Sequence, residues 1–300
     1  MQPCLFLLIR NSLIWFFVKM SHVQPKNLRH ILITGASSGL GAALACHYAQ
    51  PNRVLGLHGR NEARLEQTAQ ICRKKGAQCV LLCGDVTHQN DLIACLQDFD
   101  STYPVDLLLA NAGIAGGSGQ KLDLVHKNLP LSTQNFIPES LEQACRILEV
   151  NMMGVVYTVQ ALIPAMMERG YGQIGLVSSL AGWRGWPGAP AYCASKAGVK
   201  AYGESLRISL KSYGINVHVI MPGFIDTPLT RVNPFPMPFL MSDTRAAHII
   251  AHHLKRGKGR IAFPWPMASL AWLCATLPAS LMDKVLNKMP AKPAMSELKD

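Results

Sequence analysis

The 300-residue sequence predicts an α/β fold, a single doubly wound domain in which helices cover both faces of about seven parallel strands. Short β-branched or leucine-rich segments alternate with longer segments of helical period from residue 30 to about residue 263. Near-continuous apolar strands of this kind are typical of a parallel sheet buried on both faces. The hydrophobic content of 49% excludes a disordered or fibrous chain, and the length suits one large domain.

The elements follow one another in a regular order. The predicted strands are His30–Thr34, Arg53–His58, Gln78–Cys83, Val105–Ala110, Gln173–Ser178, Asn216–Met221 and Arg260–Phe263. The predicted helical stretches are 40–50, 61–75, 89–99, 139–169, 190–212 and 243–256. Two long connections, 114–138 and 222–242, follow strand ends, where a doubly wound sheet places its ligand crevice.

The two ends of the chain are predicted to lie outside this domain, which spans 28–263. Residues 1–27 form a non-core extension whose apolar segments, Leu5–Ile9 and Leu13–Val18, are too short to cross a bilayer. Residues 264–300 form an apolar and then basic tail. Ile261–Met282 has no charged residue, but prolines 264, 266 and 278 break it and leave an uninterrupted stretch of eleven residues, 267–277. Three roles stay open for this tail: a lid, a dimer contact or an anchor in the membrane interface.

The net charge of +11 is concentrated at the ends, because residues 1–30 and 240–300 carry nine of the excess positive charges. A nucleic-acid groove needs Lys and Arg along a folded face, so no nucleic-acid partner is expected. Basic ends are typical of solvated termini and would also favour weak association with anionic membrane surfaces. The nine cysteines, without a C-x-x-C pair, indicate a reducing, cytoplasmic compartment and no metal site. Cys79 and Cys83 are predicted to be buried.

The first predicted strand leads into a turn with three glycines, Gly35, Gly39 and Gly41, and then into a helix. Such a turn lets the main chain approach a pyrophosphate, which meets N–H groups and the positive helix end. The second strand ends at Arg60, without the acidic residue typical of an NAD site. Because a guanidinium suits a 2′-phosphate, NADP is predicted in preference to NAD. The alternative is that Arg60 is only the polar start of the next helix.

Seven motifs then carry a resemblance. They are TGASSGLG at 34–41, Gly84-Asp85-Val86, Asn111-Ala112-Gly113, Asn151, Ser179, Tyr192-x-x-x-Lys196 and Pro222-Gly223. In this order and spacing they resemble the short-chain dehydrogenase/reductase family over about residues 28–263. The resemblance implies a Rossmann-like fold, adenine contact by Asp85, and a nicotinamide carboxamide contact by Thr227. Ala110 departs from the family's usual Asn, and the connection from Gly113 to Asn151 is longer than usual.

Two sets of site residues are predicted on these grounds. The dinucleotide contacts are Gly35, Ser37, Ser38, Gly39, Leu40, Gly41, Arg60, Asp85, Val86, Asn111, Ala112, Gly113, Tyr192, Lys196, Pro222, Gly223, Ile225 and Thr227. The catalytic residues are Asn151, Ser179, Tyr192 and Lys196.

Tyr192 and Lys196 lie four residues apart on a predicted helix and therefore share one face. The lysine and the nicotinamide charge are expected to lower the pKa of the tyrosine from about 10, which suits a general acid/base. Ser179 is predicted to orient the substrate oxygen, whereas Ser178 points to the other side of the strand. The resemblance implies that Asn151 completes a proton relay, and a local main-chain hydrogen bond is the alternative.

Trp183 and Trp186, between Ser179 and Tyr192, indicate an apolar or bulky substrate or else pack on the sheet edge. His218 is predicted to be a satisfied core residue. Together these features predict an NADP-dependent oxidoreductase that reduces a carbonyl or oxidises a secondary alcohol. The alternative is a non-catalytic NADP-binding sensor or scaffold of the same fold. The resemblance also implies a homo-oligomer formed through helix faces near 139–169 and 190–212.

Overall fold

The computed structural model describes residues 28–116, 139–186, 188–231, 233 and 236–286. The predicted extension at 1–27, most of the 114–138 connection and the end of the tail lie outside the described residues. The strands are β1 (His30–Thr34), β2 (Val54–Gly59), β3 (Gln78–Cys83), β4 (Leu107–Ala110), β5 (Gly172–Val177), β6 (Ile215–Pro222), β7 (Ile225–Asp226), β8 (Met241–Ser242) and β9 (Arg260–Phe263). The helices are α1 (Gly39–Tyr48), α2 (Glu62–Lys74), α3 (Gln89–Thr102), α4 (Leu141–Leu148), α5 (Gly154–Arg169), α6 (Pro190–Ser209), α7 (Pro228–Arg231), α8 (Asp243–Lys255), α9 (Trp265–Thr276) and α10 (Ala279–Leu286).

Seven strands form one parallel sheet in the order β3-β2-β1-β4-β5-β6-β9, which confirms the predicted fold. The winding direction reverses between β1 and β4, since β2 and β3 lie on one side of β1 and the later strands on the other. At such a switch point the loops after two neighbouring strands separate and leave a crevice at the carboxyl edge of the sheet. The fold therefore directs the residues that follow β1 and β4 into one site.

Alternation of apolar residues along the strands builds two core layers. In β1, Ile31 and Ile33 pack on the side of α1, α2 and α8, whereas Leu32 packs on the side of α3, α5 and α6. A third, smaller cluster joins Val219 and Met221 of β6 to Ala268 and Ala271 of α9. Because every layer uses the same sheet, the strand ends are held rigidly where the crevice opens.

The long helix predicted at 139–169 is not continuous. A π-helical turn, Glu149–Met153, separates α4 from α5 and contains Asn151. Within the described part of the chain, Leu141–Arg169 is the helical run long and apolar enough to cross a membrane. Its most apolar window is more than half buried, with α5 packed on α3 and α4 on α6, as in a core helix.

Two predictions about burial and helix limits are wrong. Cys83 is exposed rather than buried, because β3 is the edge strand of the sheet and the residue stands at its end. In the tail, α9 begins at Trp265 and includes Pro266 in its first turn, where a proline costs no hydrogen bond. The eight cysteines among the described residues are free thiols.

Candidate active site

The turn after β1 has the main-chain geometry that a phosphate group needs. Gly35 and Gly39 have φ angles of +69° and +51°, which favour glycine, and a Cβ at Gly41 would lie 2.1 Å from the Gly35 carbonyl oxygen. Ser38 stands at the N-cap of α1 but makes no side-chain capping bond, and the first turn of α1 holds no acidic residue. The N–H groups and positive end of α1 can therefore receive a dinucleotide pyrophosphate.

Asn111 holds this turn against the end of β4. Its amide nitrogen donates to the carbonyl oxygens of Thr34 at 3.0 Å and Gly35 at 3.3 Å. The Thr34 hydroxyl in turn accepts from the main-chain N–H groups of Asn111 and Ala112, each at 3.1 Å. Asn111 thus ties the two loops of the switch point together.

At the adenosine end, a carboxylate and two guanidinium groups lie close together. Asp85 pairs with Arg146 of α4 at 2.8 Å and lies 3.8 Å from the Arg60 Nη1, while its other oxygen accepts two hydrogen bonds from Thr87. Burial alone would raise the pKa of Asp85, but the Thr87 and Arg146 hydrogen bonds outweigh it, and the pKa lies below its usual value. Asn61 caps α2, so Arg60 precedes the helix and its half-exposed side chain faces the crevice side.

His58 lies beside this group at the end of β2. Its side chain is buried, and Nδ1 has no hydrogen-bond partner among the described residues. Burial lowers the pKa of His58 to about 4 against the opposing charge of Asp85, so the imidazole is neutral at pH 7. An unsatisfied buried nitrogen at this position fits an adenosine site, in which bound ligand would complete its environment.

Tyr192 and Ser179 are brought together by two different elements. Tyr192 lies in the first turn of α6, and Ser179 follows β5 and starts a short 3₁₀ turn, Leu180–Gly182. The Ser179 hydroxyl lies close enough to Tyr192 to lower the pKa of the phenol, but burial raises this pKa by more. In the absence of the nicotinamide charge on which the prediction also depends, the pKa of Tyr192 therefore lies above its usual value.

Lys196 is buried beside Tyr192. Its ammonium lies 5.8 Å from the centre of the Tyr192 ring and donates to the Val177 carbonyl oxygen at 3.0 Å. The side chain is 5% exposed. The pair shares one helix face, as the spacing predicts.

Asn151 is completely buried in the π-helical turn. Its oxygen accepts from Ile114 N–H at 2.7 Å, and its nitrogen donates to the Ile114 carbonyl at 2.8 Å and to the Ser195 hydroxyl at 3.2 Å. A Cβ at Gly113 would lie 3.1 Å from the Asn151 oxygen and 3.4 Å from Lys196 Nζ. Asn151 thus makes the main-chain bonds of the alternative interpretation and also lies beside the lysine.

The two adjacent serines have different surroundings. Ser178 is buried and donates to the Lys196 carbonyl oxygen at 2.6 Å. Ser179 contacts Tyr192 and accepts from the Ala181 N–H at 3.1 Å. Only Ser179 therefore presents its hydroxyl to the tyrosine.

The remaining predicted contacts surround the same edge of the sheet. Thr227 is buried, and its methyl group would lie 3.0 Å from a Cβ at Gly39. Gly223 approaches Pro264 and Met267, and its N–H donates to the Phe263 carbonyl at 2.8 Å. Ser37 lies beside Gly59 at the end of β2. Buried members of the set that shape this edge are Leu40, Val86, Pro222 and Ile225.

Sequence reasoning missed four residues that hold the site, three of which make contacts between distant parts of the chain. Arg146 neutralises Asp85 from α4, and Glu139 accepts from the Ala191 N–H at 2.9 Å at the start of α6, where Ala189 provides no side-chain cap. Arg184, after the 3₁₀ turn, donates to the Cys274 and Leu277 carbonyls at the end of α9. Each contact spans a long stretch of chain, so no local pattern could reveal it. By contrast, Ser195, in the run YCASK, is a missed neighbour of both Asn151 and Tyr192.

His218 is a satisfied core residue, as predicted. Its ring contacts Gln173 at 2.9 Å and the Lys258 carbonyl at 2.7 Å. Within the described residues, no cluster of three His, Cys, Asp or Glu side chains could hold a metal ion. Trp183 and Trp186 are both half-buried beside the 3₁₀ turn, and Trp183 also packs against the α9 cluster.

A family model for short chain dehydrogenase matches residues 29–234. The chain belongs to the short-chain dehydrogenase/reductase family. It is accordingly an NAD(P)-binding oxidoreductase. The phosphate-binding turn of α1 and the unsatisfied His58 fit the dinucleotide of this family.

Relatives agree with this assignment. An uncharacterized oxidoreductase of Myxococcus xanthus is 34% identical over 87% of this chain and 97% of its own length. An 11-beta-hydroxysteroid dehydrogenase-like protein, 4A, of Arabidopsis thaliana is 30% identical over 91% of this chain and 89% of its own. A solved short-chain dehydrogenase from Sphingobium yanoikuyae in complex with NADPH superposes with a TM-score of 0.69 at 24% identity, covering 84% of this chain and 98% of that one. At this level of identity, the structural similarity is evidence for a shared fold alone.

Proposed function

We propose that the protein is an NADP-dependent carbonyl reductase, or the matching secondary-alcohol dehydrogenase, acting on an apolar or bulky substrate. The observation that carries the proposal is the placement of the Ser179 hydroxyl beside the Tyr192 phenol, with the Lys196 ammonium 5.8 Å from the phenol ring. These groups follow β5 and begin α6, next to the crevice at the switch point. One hydroxyl to orient an oxygen and a second to exchange its proton are what interconversion of a carbonyl and an alcohol needs.

In the reducing direction, Ser179 donates a hydrogen bond to the substrate oxygen and Tyr192 gives it a proton. Because burial raises the pKa of Tyr192, the phenol stays protonated at neutral pH and is ready to act as the acid. Lys196 and Asn151 both lie close to Gly113. In this proposal the two residues form the path by which a proton reaches Tyr192. When bound, the reduced dinucleotide supplies the hydride for the carbonyl carbon.

Arg60 supports NADP as the cofactor. Its half-exposed guanidinium stands at the end of β2, with no carboxylate at residues 58–61. The neighbouring Asp85 would repel a 2′-phosphate, but its ion pair with Arg146 neutralises that charge. We expect Arg60→Ala to raise the KM for NADPH by about tenfold or more and to leave the KM for NADH nearly unchanged.

The substrate class rests on the loop after β5. Trp183 and Trp186 stand between Ser179 and Tyr192 in sequence, and Trp183 packs against the apolar cluster of α9. Aromatic side chains at this place favour a large apolar substrate. The resemblance to an Arabidopsis protein named as 11-beta-hydroxysteroid dehydrogenase-like supports the inclusion of steroid-sized alcohols and ketones in a screen.

The test is oxidation of NADPH by the purified protein with aliphatic, aromatic and steroid-like carbonyls, with NADH in parallel. We expect turnover with NADPH that is abolished by Tyr192→Phe, which keeps the ring and removes the proton. Tight NADPH binding without turnover across the panel would favour the sensor or scaffold alternative. Turnover that survives in Tyr192→Phe would refute the assigned chemistry.

Two further parts of the proposal concern assembly and place. We propose a homo-oligomer formed through α4 and α6, where Leu141 and Ile208 are large apolar residues exposed to solvent. Sedimentation of the wild type and of an Ile208→Glu variant tests this contact. A cytoplasmic location, the compartment the free thiols favour, is tested by cell fractionation.

A further inference from the structure

The helix α9 packs on the domain through small residues. Ala268 and Ala271 are buried against Leu180, Val219 and Met221. Arg184 fixes the other end, since it donates to the carbonyl oxygens of Cys274 at 2.9 Å and Leu277 at 3.2 Å. The helix is therefore seated firmly, with a defined inner face.

Its outer face is apolar. Trp265 is 77% exposed and Trp272 is 54% exposed, and these residues, seven positions apart, lie on the same side of the helix. Leu273 and Leu270 are exposed farther round the helix, and the exposed polar residues Ser269 and Thr276 lie between them and the indoles. A helix on the surface of a globular protein normally turns charged and polar residues outward, but residues 261–282 contain no charged residue. A surface with two exposed indoles is typical of an interaction site.

The charges around this face identify the occupant. Lys258 precedes α9 and is exposed, Arg260 beside it is half-exposed and paired with Glu204, and Arg184 lies at the end of α9. Beyond it the sequence continues with four lysines, Lys284, Lys288, Lys292 and Lys299, against three acidic residues, of which only Asp283 precedes residue 297. Two copies of this chain packed through α9 would bring like charges together, whereas an anionic lipid surface would attract them. Indole rings, with an apolar body and a polar N–H, favour the boundary between lipid and water.

We propose that α9 lies flat in the surface of an anionic membrane, with Trp265 and Trp272 inserted among the lipids. With twelve residues the helix is too short to cross a bilayer, and its exposed indoles suit the boundary between lipid and water. Of the three roles open for the tail, this assigns the anchor to the outer face of α9. The inner face is packed on the loop that follows Ser179.

The position of α9 also bears on the substrate, and this step rests on the proposed function. The helix contacts the 3₁₀ turn after Ser179 and reaches Gly223 through Met267. Both segments follow the carboxyl ends of strands, on the edge where the crevice opens. A membrane bound at α9 would therefore lie next to the entrance of the site, from which an apolar substrate could be drawn.

The experiment is flotation of the full-length protein with vesicles, measured without substrate so that it is independent of catalysis. Vesicles of phosphatidylcholine with phosphatidylglycerol are compared with phosphatidylcholine alone. The variant Trp265→Ser/Trp272→Ser is compared with Ile71→Ser, a control at an exposed apolar residue of α2. Thermal unfolding of each variant shows that the fold is retained.

We expect the wild type and the control to bind the anionic vesicles, and the tryptophan pair to reduce the partition coefficient by at least about tenfold. Binding should weaken at about 1 M salt, where the screening length is only ~3 Å. No vesicle binding by the wild type, or equal binding by the tryptophan pair, would overturn the proposal. So would an oligomer that dissociates in the pair without any lipid affinity, or binding abolished only by Trp15→Ser/Phe17→Ser in the N-terminal extension.

Discussion

The adjacent serines after β5 offer the sharpest test of the site. Ser178 donates to the Lys196 main chain at 2.6 Å, whereas the Ser179 hydroxyl lies beside the Tyr192 phenol. We predict that Ser179→Ala lowers kcat by about 10²–10³-fold, the usual cost of losing one hydrogen-bond donor to a developing oxyanion. Ser178→Ala is expected to lower kcat by less than about tenfold, because its hydroxyl serves the main chain.

The two substitutions are expected to lower the free energy of unfolding by nearly the same amount, so a difference in kcat between them does not arise from stability. Ser178→Ala loses one buried hydroxyl bond, worth about 1–2 kcal/mol. Ser179→Ala loses the bond accepted from the Ala181 N–H, a cap worth about 1 kcal/mol. For a domain of this size each should lower Tm by roughly 2–6 °C. Unfolding cannot then explain a large difference in kcat measured well below Tm.

The assay combines initial rates of NADPH oxidation at saturating carbonyl with thermal unfolding of both variants. Equal losses of kcat in the two variants would refute the assignment of the Ser179 hydroxyl to the reaction and of the Ser178 hydroxyl to the main chain. A Ser179→Ala enzyme with nearly normal kcat would remove Ser179 from the reaction altogether.

Three other predictions concern residues that hold the site. Glu139→Ala should lower kcat several-fold, because it releases the Ala191 N–H at the start of α6. Glu139→Gln keeps an acceptor for this N–H and should have a kcat near that of the wild type. An equal loss of kcat in both variants would show that the charge of Glu139 matters and not its hydrogen bond. Arg184→Ala should lower Tm by several degrees and raise the substrate KM, because two carbonyl groups at the end of α9 lose their donor. Arg184→Lys should recover only part of this loss. An unchanged Tm in Arg184→Ala would contradict the prediction. Because the folded pKa of Asp85 is lowered, its contribution to stability is present above the unfolded pKa of about 3.9 and is lost as the pH falls through the folded value. Urea unfolding of Arg146→Met should thus show a deficit of about 1 kcal/mol or less at pH 7 that disappears in acid, and a deficit independent of pH would argue for packing alone.

The sheet was predictable because its signals are local. Each strand is an apolar run bounded by polar residues, such as Leu107–Ala110. The glycines at positions 35 and 39 indicate the turn between the first strand and the first helix. The four catalytic candidates were recognisable by spacing, and the structure brings Ser179, Tyr192, Lys196 and Asn151 to one edge of the sheet.

What escaped prediction depends on distance through space. The pKa of Tyr192 is raised by burial, and a four-residue spacing does not reveal how deeply the phenol is buried. Cys83 is exposed because β3 has no neighbour on its outer side, which requires the strand order. The contacts of Glu139 and Arg184 join segments 52 and 90 residues apart, where a sequence pattern carries no signal.

The π-helical turn at Glu149–Met153 changes the angular positions of the side chains around the helix axis between α4 and α5. One extra residue in a turn rotates everything that follows by about 100°, so α4 and α5 can point their apolar faces in different directions. This lets α4 pack on α6 while α5 packs on α3, with Asn151 at the point where the phase changes. Deleting one residue there would restore regular α-helical hydrogen bonding, but it would force one of the two packings out of register. Insertions and deletions in this helix should therefore be tolerated far less than substitutions of its exposed side chains.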